Sequence, residues 1–161
     1  MLVRYVKPIA LLSTGLLAGA FMYGALNVAP TFRAVPLDVR LTFHTELMRM
    51  NGVVMQTLMG LAFLSAVALA ALTRGRERLI AAGAALLALT SFIVTRFGNV
   101  PINGRIKIWA VEGAPADYAE ILARWDAFNY VRTATGIIAF GLVVWIALRP
   151  QRSTKDSGIP A

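Results

Sequence analysis

The chain contains no cysteine among its 161 residues. Disulfide exchange, thiolate catalysis, iron–sulfur ligation and covalent haem attachment all require cysteine, so each is excluded. Histidine is nearly absent as well, because His44 is the only one. A single imidazole cannot form a bis-histidine haem site or a zinc site built from several histidines. We therefore expect neither a metal nor any other cofactor.

Charge is also scarce, at 15% of residues against 58% hydrophobic ones. A soluble domain usually has about 25% charged and about 45–50% apolar residues. The net charge of +8 does not indicate nucleic acid, because the basic residues flank apolar stretches and form no stripe with interleaved aromatics. Membrane lipid with anionic headgroups is the expected counter-charge.

Four long apolar stretches contain no Asp, Glu or Lys; they cover residues 8–30, 47–72, 79–95 and 133–148. About 20 helical residues cross a hydrocarbon core about 30 Å thick. The sequence therefore predicts an all-α, integral membrane four-helix bundle.

The predicted helices span about 8–29, 47–72, 79–96 and 116–148, all within one domain, 1–149. A disordered polar tail, 150–161, is expected to follow. The first helix is predicted to be retained, because its apolar run exceeds the about 7–15 residues of a signal peptide.

Two connections are long and polar: loop 1 (31–46) and loop 3 (97 to about 131). The second half of loop 3, from 116, is predicted to be helical and to continue into the fourth helix. Both loops are predicted to lie on the same side of the membrane and to form an extramembrane cap. The basic residues of the short segments 1–7, 73–78 and 149–161 indicate, by the positive-inside rule, that both termini are cytoplasmic. The expected location is a bacterial plasma membrane.

Small residues recur at helical spacing in two of the predicted helices. Gly15 and Gly19 do so in the first, and a row of alanines from Ala81 to Ala88 does so in the third. In a bilayer such faces permit close helix packing. They predict close contacts, with a homo-oligomer or a membrane protein partner as a further expectation.

The segment 96–103 is the first candidate for chemistry. Pro101 disfavours a helical conformation at Val100, so an extended backbone is expected there. Asn99 and Asn103 either cap the end of the helix or offer amides to a polar group of a substrate.

A second candidate lies in the fourth predicted helix, where Trp125, Asn129 and Arg132 share one face. They indicate either an interfacial aromatic belt with a snorkelling arginine or a polar site at the mouth of the bundle. His44, in loop 1, is a third candidate. It is either a proton acceptor from a substrate or a structural hydrogen-bonding residue.

These residues together resemble those of the anthrone-oxygenase-like family, small four-helix membrane proteins long catalogued as a domain of unknown function. The resemblance rests on the run 99–103, on Trp109 and Trp125, and on Asn129 followed by Arg132 and Thr133. One departure is Tyr130, which stands where the family often has a histidine.

Fungal members are associated with oxidising anthrones to anthraquinones, apparently without metal or flavin. The resemblance implies a lipophilic aromatic substrate for this chain, with His44 and Arg132 as its catalytic residues. It also implies a set of substrate-binding residues: Asn99, Asn103, Trp109, Trp125 and Asn129.

Three functions remain open from the sequence. The first is a cofactor-independent oxygenase or oxidoreductase that acts on a lipophilic, anthrone-like aromatic molecule. The second is a non-catalytic membrane subunit or scaffold, and the third is a lipid- or quinone-binding protein.

Overall fold

The computed structural model describes residues 2–149, and the predicted polar tail, 150–161, lies outside the described residues. Four long helices make up this described part: α1 (Leu2–Ala34), α2 (Leu37–Leu72), α3 (Gly75–Glu112) and α4 (Tyr118–Ala147). No strand occurs between residues 2 and 149. Each helix is long and apolar enough to cross a membrane, which confirms the predicted all-α membrane bundle.

The four helices form an antiparallel bundle because short connections join them. Both α1 and α3 pack against α2 and α4. The Lys7 ammonium donates to the carbonyl of Ile146 at 3.3 Å, so the start of α1 and the end of α4 lie together. We call this the terminal end of the bundle and the opposite one the distal end.

The helices extend further than the sequence predicted. α2 begins at Leu37 instead of 47, and α3 continues to Glu112 instead of ending at 96. Most of loops 1 and 3 is therefore helical. These extensions are helical because they bury apolar side chains at helical spacing. Leu41 of α2 and Ile102 and Ile106 of α3 all lie in one buried cluster at the distal end.

Pro30 inside α1 and Pro101 inside α3 are accommodated by wider, π-helical turns. These turns cover Gly24–Val28 and Thr95–Asn99, and each is followed two residues later by a proline, Pro30 or Pro101. Proline has no N–H, and its ring clashes with the carbonyl four residues earlier in a regular helix. The N–H of the residue before each proline donates instead to the carbonyl five residues earlier: Ala29 to Gly24 and Val100 to Thr95.

The extended backbone expected at Val100 is therefore wrong. Val100 is helical, with φ −60° and ψ −44°. The widened turn supplies the room that proline needs, so the helix continues through Pro101.

Three apolar clusters fill the bundle along its axis. The terminal cluster joins all four helices through residues such as Ala10, Leu69, Ala84 and Ile146. A middle cluster joins α1 and α2 only. The distal cluster again joins all four and contains Trp109 and Trp125. The alanine row of α3 is buried inside the bundle, where it permits the close packing predicted for it.

Gly98, in the π-helical turn of α3, packs directly against Phe128 of α4. A Cβ atom at Gly98 would come within 2.7 Å of the ring's Cγ. Cγ is the ring atom nearest the backbone and has little freedom to move away. The glycine therefore sets how closely α3 and α4 approach beside the distal cluster.

We expect Gly98→Ala to destabilise the bundle by about 1–3 kcal/mol, because it forces an overpacked contact. Thermal unfolding in detergent measures the loss. Gly60→Ala in α2 is the matched control, because a Cβ there meets nothing within 4 Å. Equal stability of the two variants would contradict the proposed contact.

Candidate functional site

A cavity of about 650 Å³ lies among all four helices, at the level where the middle cluster gives way to the distal one. This volume is within the range of small-molecule sites, about 300–1,000 Å³. Both π-helical turns border it, through Gly24 and Val28 of α1 and through Thr95 and Arg96 of α3. Such turns displace the helix wall locally and are frequent at functional sites.

The cavity walls differ in character. α2 contributes three methionines, Met48, Met55 and Met59, whose flexible and polarisable side chains suit an aromatic guest. The other helices carry the cations Arg96 and Lys107 of α3 and Arg132 of α4, and no carboxylate of the described chain lines the cavity. Other polar and aromatic lining residues are Phe21, Asn51, Gln56, Phe92, Asn103, Trp125 and Asn129.

Asn103 stands at the centre of a hydrogen-bond network that joins α2, α3 and α4. Its Oδ1 accepts a bond of 2.7 Å from the indole Nε1–H of Trp125. His44 Nε2 lies 3.1 Å from the same oxygen. Since indole only donates, Oδ1 must be the acceptor, and His44 must then carry its proton on Nε2.

This arrangement fixes what Asn103 can offer a ligand. Both lone pairs of Oδ1 are used by the indole and the imidazole, which leaves the two hydrogens of Nδ2. Asn103 and Trp125 line the cavity. The network therefore holds an amide donor at the cavity wall in a fixed orientation.

His44 does not line the cavity but lies behind Asn103 and Trp125. Its side chain is fully buried. The imidazole stacks on Phe32 with 4.7 Å between ring centroids, and its edge packs against Trp125 at the same separation. Its Nδ1 is buried without a partner. The geometry places His44 as a support for the cavity wall, with no direct access to a substrate there.

Asn129 and Arg132 form a second polar pair, one turn apart on α4. The Nε and one terminal nitrogen of Arg132 donate to Asn129 Oδ1 at 2.9 and 2.7 Å. The guanidinium also lies 4.8 Å from the centre of the Phe21 ring, a cation–π distance. Both residues line the cavity, and Asn129 Nδ2 is buried without a partner.

Asn99 and Trp109, also candidates from the sequence, do not line the cavity. Asn99 is fully buried and donates through Nδ2 to the carbonyl of Trp125 at 3.1 Å. Trp109 belongs to the distal cluster. Asn99 therefore joins α3 to α4 at Trp125, and Trp109 belongs to the same apolar cluster as Trp125.

Lys107, Arg96 and the α2 methionines line the cavity but are not among the site residues named from the sequence. Lys107 follows Asn103 by four residues, so the two share a helix face. That signal was hidden because the segment was interpreted as a loop. Arg96 begins the candidate segment 96–103, but only the two asparagines of that segment are expected to bind a substrate.

The Asn103–Trp125 bond can be measured by a double-mutant cycle with Asn103→Leu and Trp125→Phe. We expect a coupling energy of about 1 kcal/mol in unfolding experiments, because each substitution removes the same buried hydrogen bond. Asn103→Leu with Trp145→Phe is the control pair, since Trp145 packs on the terminal cluster. Additive effects in the first pair would refute the bond.

Comparison with known proteins gives one match. No curated protein and no solved structure matches this chain significantly. The model of the anthrone oxygenase family matches residues 39–142, more than half of the chain. This range contains every candidate residue named from the sequence, but it leaves out α1 and its Phe21 and Phe32. The chain therefore belongs to the anthrone oxygenase family.

Proposed function

We propose that this protein is a cofactor-independent oxygenase that oxidises a lipophilic, anthrone-like aromatic molecule within the bundle. The observation that carries the proposal is the cavity itself. It combines apolar walls that suit fused rings with three cations and a fixed amide donor. Family membership supports the same chemistry.

The proposed reaction converts an anthrone and O₂ into an anthraquinone and water. Loss of a proton from the ring methylene gives an electron-rich carbanion whose charge is shared with the carbonyl oxygen. The carbanion passes two electrons to O₂ as the new C–O bond forms, and protonation gives a hydroperoxide. Loss of water, with the second methylene hydrogen leaving as a proton, then gives the second carbonyl.

In this proposal the protein acts mainly by electrostatic stabilisation of the anion. Arg132 has hydrogens beyond those given to Asn129, and with the Nδ2 donor of Asn103 it can bond an oxyanion. In an apolar setting such donors have far more effect than in water. Their field lowers the energy of the carbanion and so of the transition state that leads to it.

His44 takes a positioning role in the proposal. The sequence suggested it as the base, but it lies behind Asn103 and is separated from the cavity. Its N–H holds the Asn103 carbonyl and thereby aims the amide donor. The proton of the substrate would then pass to water, promoted by the cations.

A second candidate is a lipid- or quinone-binding protein without turnover. It is favoured by one observation: no Asp, Glu or His of the described chain lines the cavity, so no ordinary base contacts a ligand there. The scaffold interpretation has less support, because the alanine face of α3 is already used inside the bundle. Oxygen consumption separates the first candidate from the others.

We expect the purified protein in lipid nanodiscs to consume O₂ with an anthrone substrate faster than empty nanodiscs do. Arg132→Ala should lower kcat/KM by about 100-fold, the usual effect of losing one oxyanion donor. Arg105→Ala is the control, since this exposed arginine of α3 does not line the cavity. A wild-type rate equal to that of empty nanodiscs would end the catalytic proposal.

His44 is tested with two substitutions in the same assay. Glutamine places an amide N–H near the position of imidazole Nε2, so we expect His44→Gln to retain most of the activity. His44→Ala should lose activity and stability together, because it leaves Asn103 unsupported and opens a void. Equal loss of kcat in both variants, with both folded, would favour a base instead.

We also propose that both termini face the cytoplasm of a bacterial plasma membrane. The basic residues near the terminal end support this orientation by the positive-inside rule. Because the chain has no cysteine, single cysteines report on it directly. We expect a cysteine at position 76 to resist a membrane-impermeant thiol reagent in intact cells and one at 114 to react. The reverse pattern would invert the topology.

A further inference from the structure

The three cavity cations have no carboxylate partner within residues 2–149. The ion pairs of this part of the chain are Arg33 with Asp126 and Arg49 with Glu46, and neither involves a cavity cation. Arg132 is half-buried and its hydrogen-bond acceptor is the neutral amide of Asn129. Its charge is therefore not neutralised by the protein.

An unpaired cation at this depth is costly. Arginine within a membrane bundle normally pairs with an acid or marks a functional pathway, and leaving a partly buried charge unpaired costs stability. Arg96 and Lys107 are exposed residues, but they border the same cavity and add to its positive potential. The arrangement is complementary to an anion that arrives with the ligand.

The rest of the cavity indicates what carries that anion. Met48, Met55 and Met59 give the α2 wall three apolar contacts beside the amides of Asn51 and Gln56, and they lie on a different helix from each of the three cations. A ligand that satisfies both sides has an apolar body and one charged end. The volume of about 650 Å³ suits a small molecule of drug-like size.

We propose that the cavity binds an amphiphilic aromatic anion, a fused-ring molecule that bears a carboxylate or similar acid group already ionised before any reaction. The aromatic part of this inference rests on the proposed function. The charged part rests on the unpaired cations alone. The acid group lies against Arg132, with Lys107 or Arg96 beside it, and the rings lie against the methionines.

The test compares two stable probes, anthraquinone-2-carboxylate and the neutral anthraquinone-2-carboxamide. Binding to the full chain in phosphatidylcholine nanodiscs is titrated by quenching of tryptophan fluorescence, and empty nanodiscs correct for partitioning into lipid. We expect the carboxylate to bind about tenfold more tightly, a difference that shrinks as salt screens the charges. Equal affinities would overturn the proposal.

Charge variants locate the effect. Arg132→Gln should weaken carboxylate binding about tenfold and leave carboxamide binding within about twofold, because only the ionic contact is removed. Arg132→Lys should keep the preference, and Arg105→Gln should change nothing. If Arg132→Gln does not fold, Lys107→Gln tests the same preference from α3. A preference that survives removal of the charge at both positions refutes the site.

A phospholipid is the other source of an anionic headgroup, and a third nanodisc tests it. Phosphatidylglycerol replaces part of the phosphatidylcholine, with the two probes titrated again. Retention of the carboxylate preference supports a small aromatic anion. Complete loss of saturable binding for both probes means that the lipid occupies the cavity, and the proposal is then wrong.

The outcome is independent of turnover. Both probes are already at the quinone level and do not react further with O₂, so binding is measured without catalysis. A carboxylate preference without oxygen consumption would refute the oxygenase and keep the anion site. Oxygen consumption with equal binding of the two probes would refute the anion site and keep the oxygenase.

Discussion

The site depends on one acceptor atom, the Oδ1 of Asn103, which receives hydrogen bonds from Trp125 and His44. These three residues come from α3, α4 and α2, so a single amide oxygen links three of the four helices. Buried polar groups in an apolar setting are costly unless they are satisfied, and satisfied networks specify one packing arrangement. The network therefore fixes both the distal end of the bundle and the cavity wall.

The two proline-associated π-helical turns orient the residues that form or support that network. An inserted residue rotates the remainder of a helix by about 100° relative to a regular one. In α3 the turn at Thr95–Asn99 lies between the first part of the helix, Gly75–Val94, and Asn103, so it sets which face Asn103 presents. In α1 the turn at Gly24–Val28 does the same for Phe32, on which His44 stacks.

The sequence predicted the membrane helices because hydropathy over some 20 residues is a local property. It also identified Trp125, Asn129 and Arg132 as one face, since an unbroken helix makes spacing reliable. The expectation of an extended backbone before Pro101 is wrong. A residue before proline is disfavoured in a regular helix, but here the preceding turn is π-helical. That error made 97–115 a loop and hid Lys107. The position of His44 behind Asn103 depends on contacts between three helices, which no local pattern encodes.

The residues that support the cavity wall and the charged residues that border the cavity lie in different places. His44, Asn99 and Trp109 lie outside the cavity and hold its wall, whereas Arg132, Lys107 and Arg96 border the space in which a ligand would lie. A proton is hard to remove with cations alone unless the substrate is itself acidic, and a doubly benzylic methylene across the ring from a ketone, as in an anthrone, is such an acid. Cations in a low-dielectric cavity increase that acidity by stabilising the anion. The described residues line the cavity with three cations and no carboxylate. Such a cavity suits a reaction in which the substrate is itself acidic and the protein stabilises the resulting anion electrostatically.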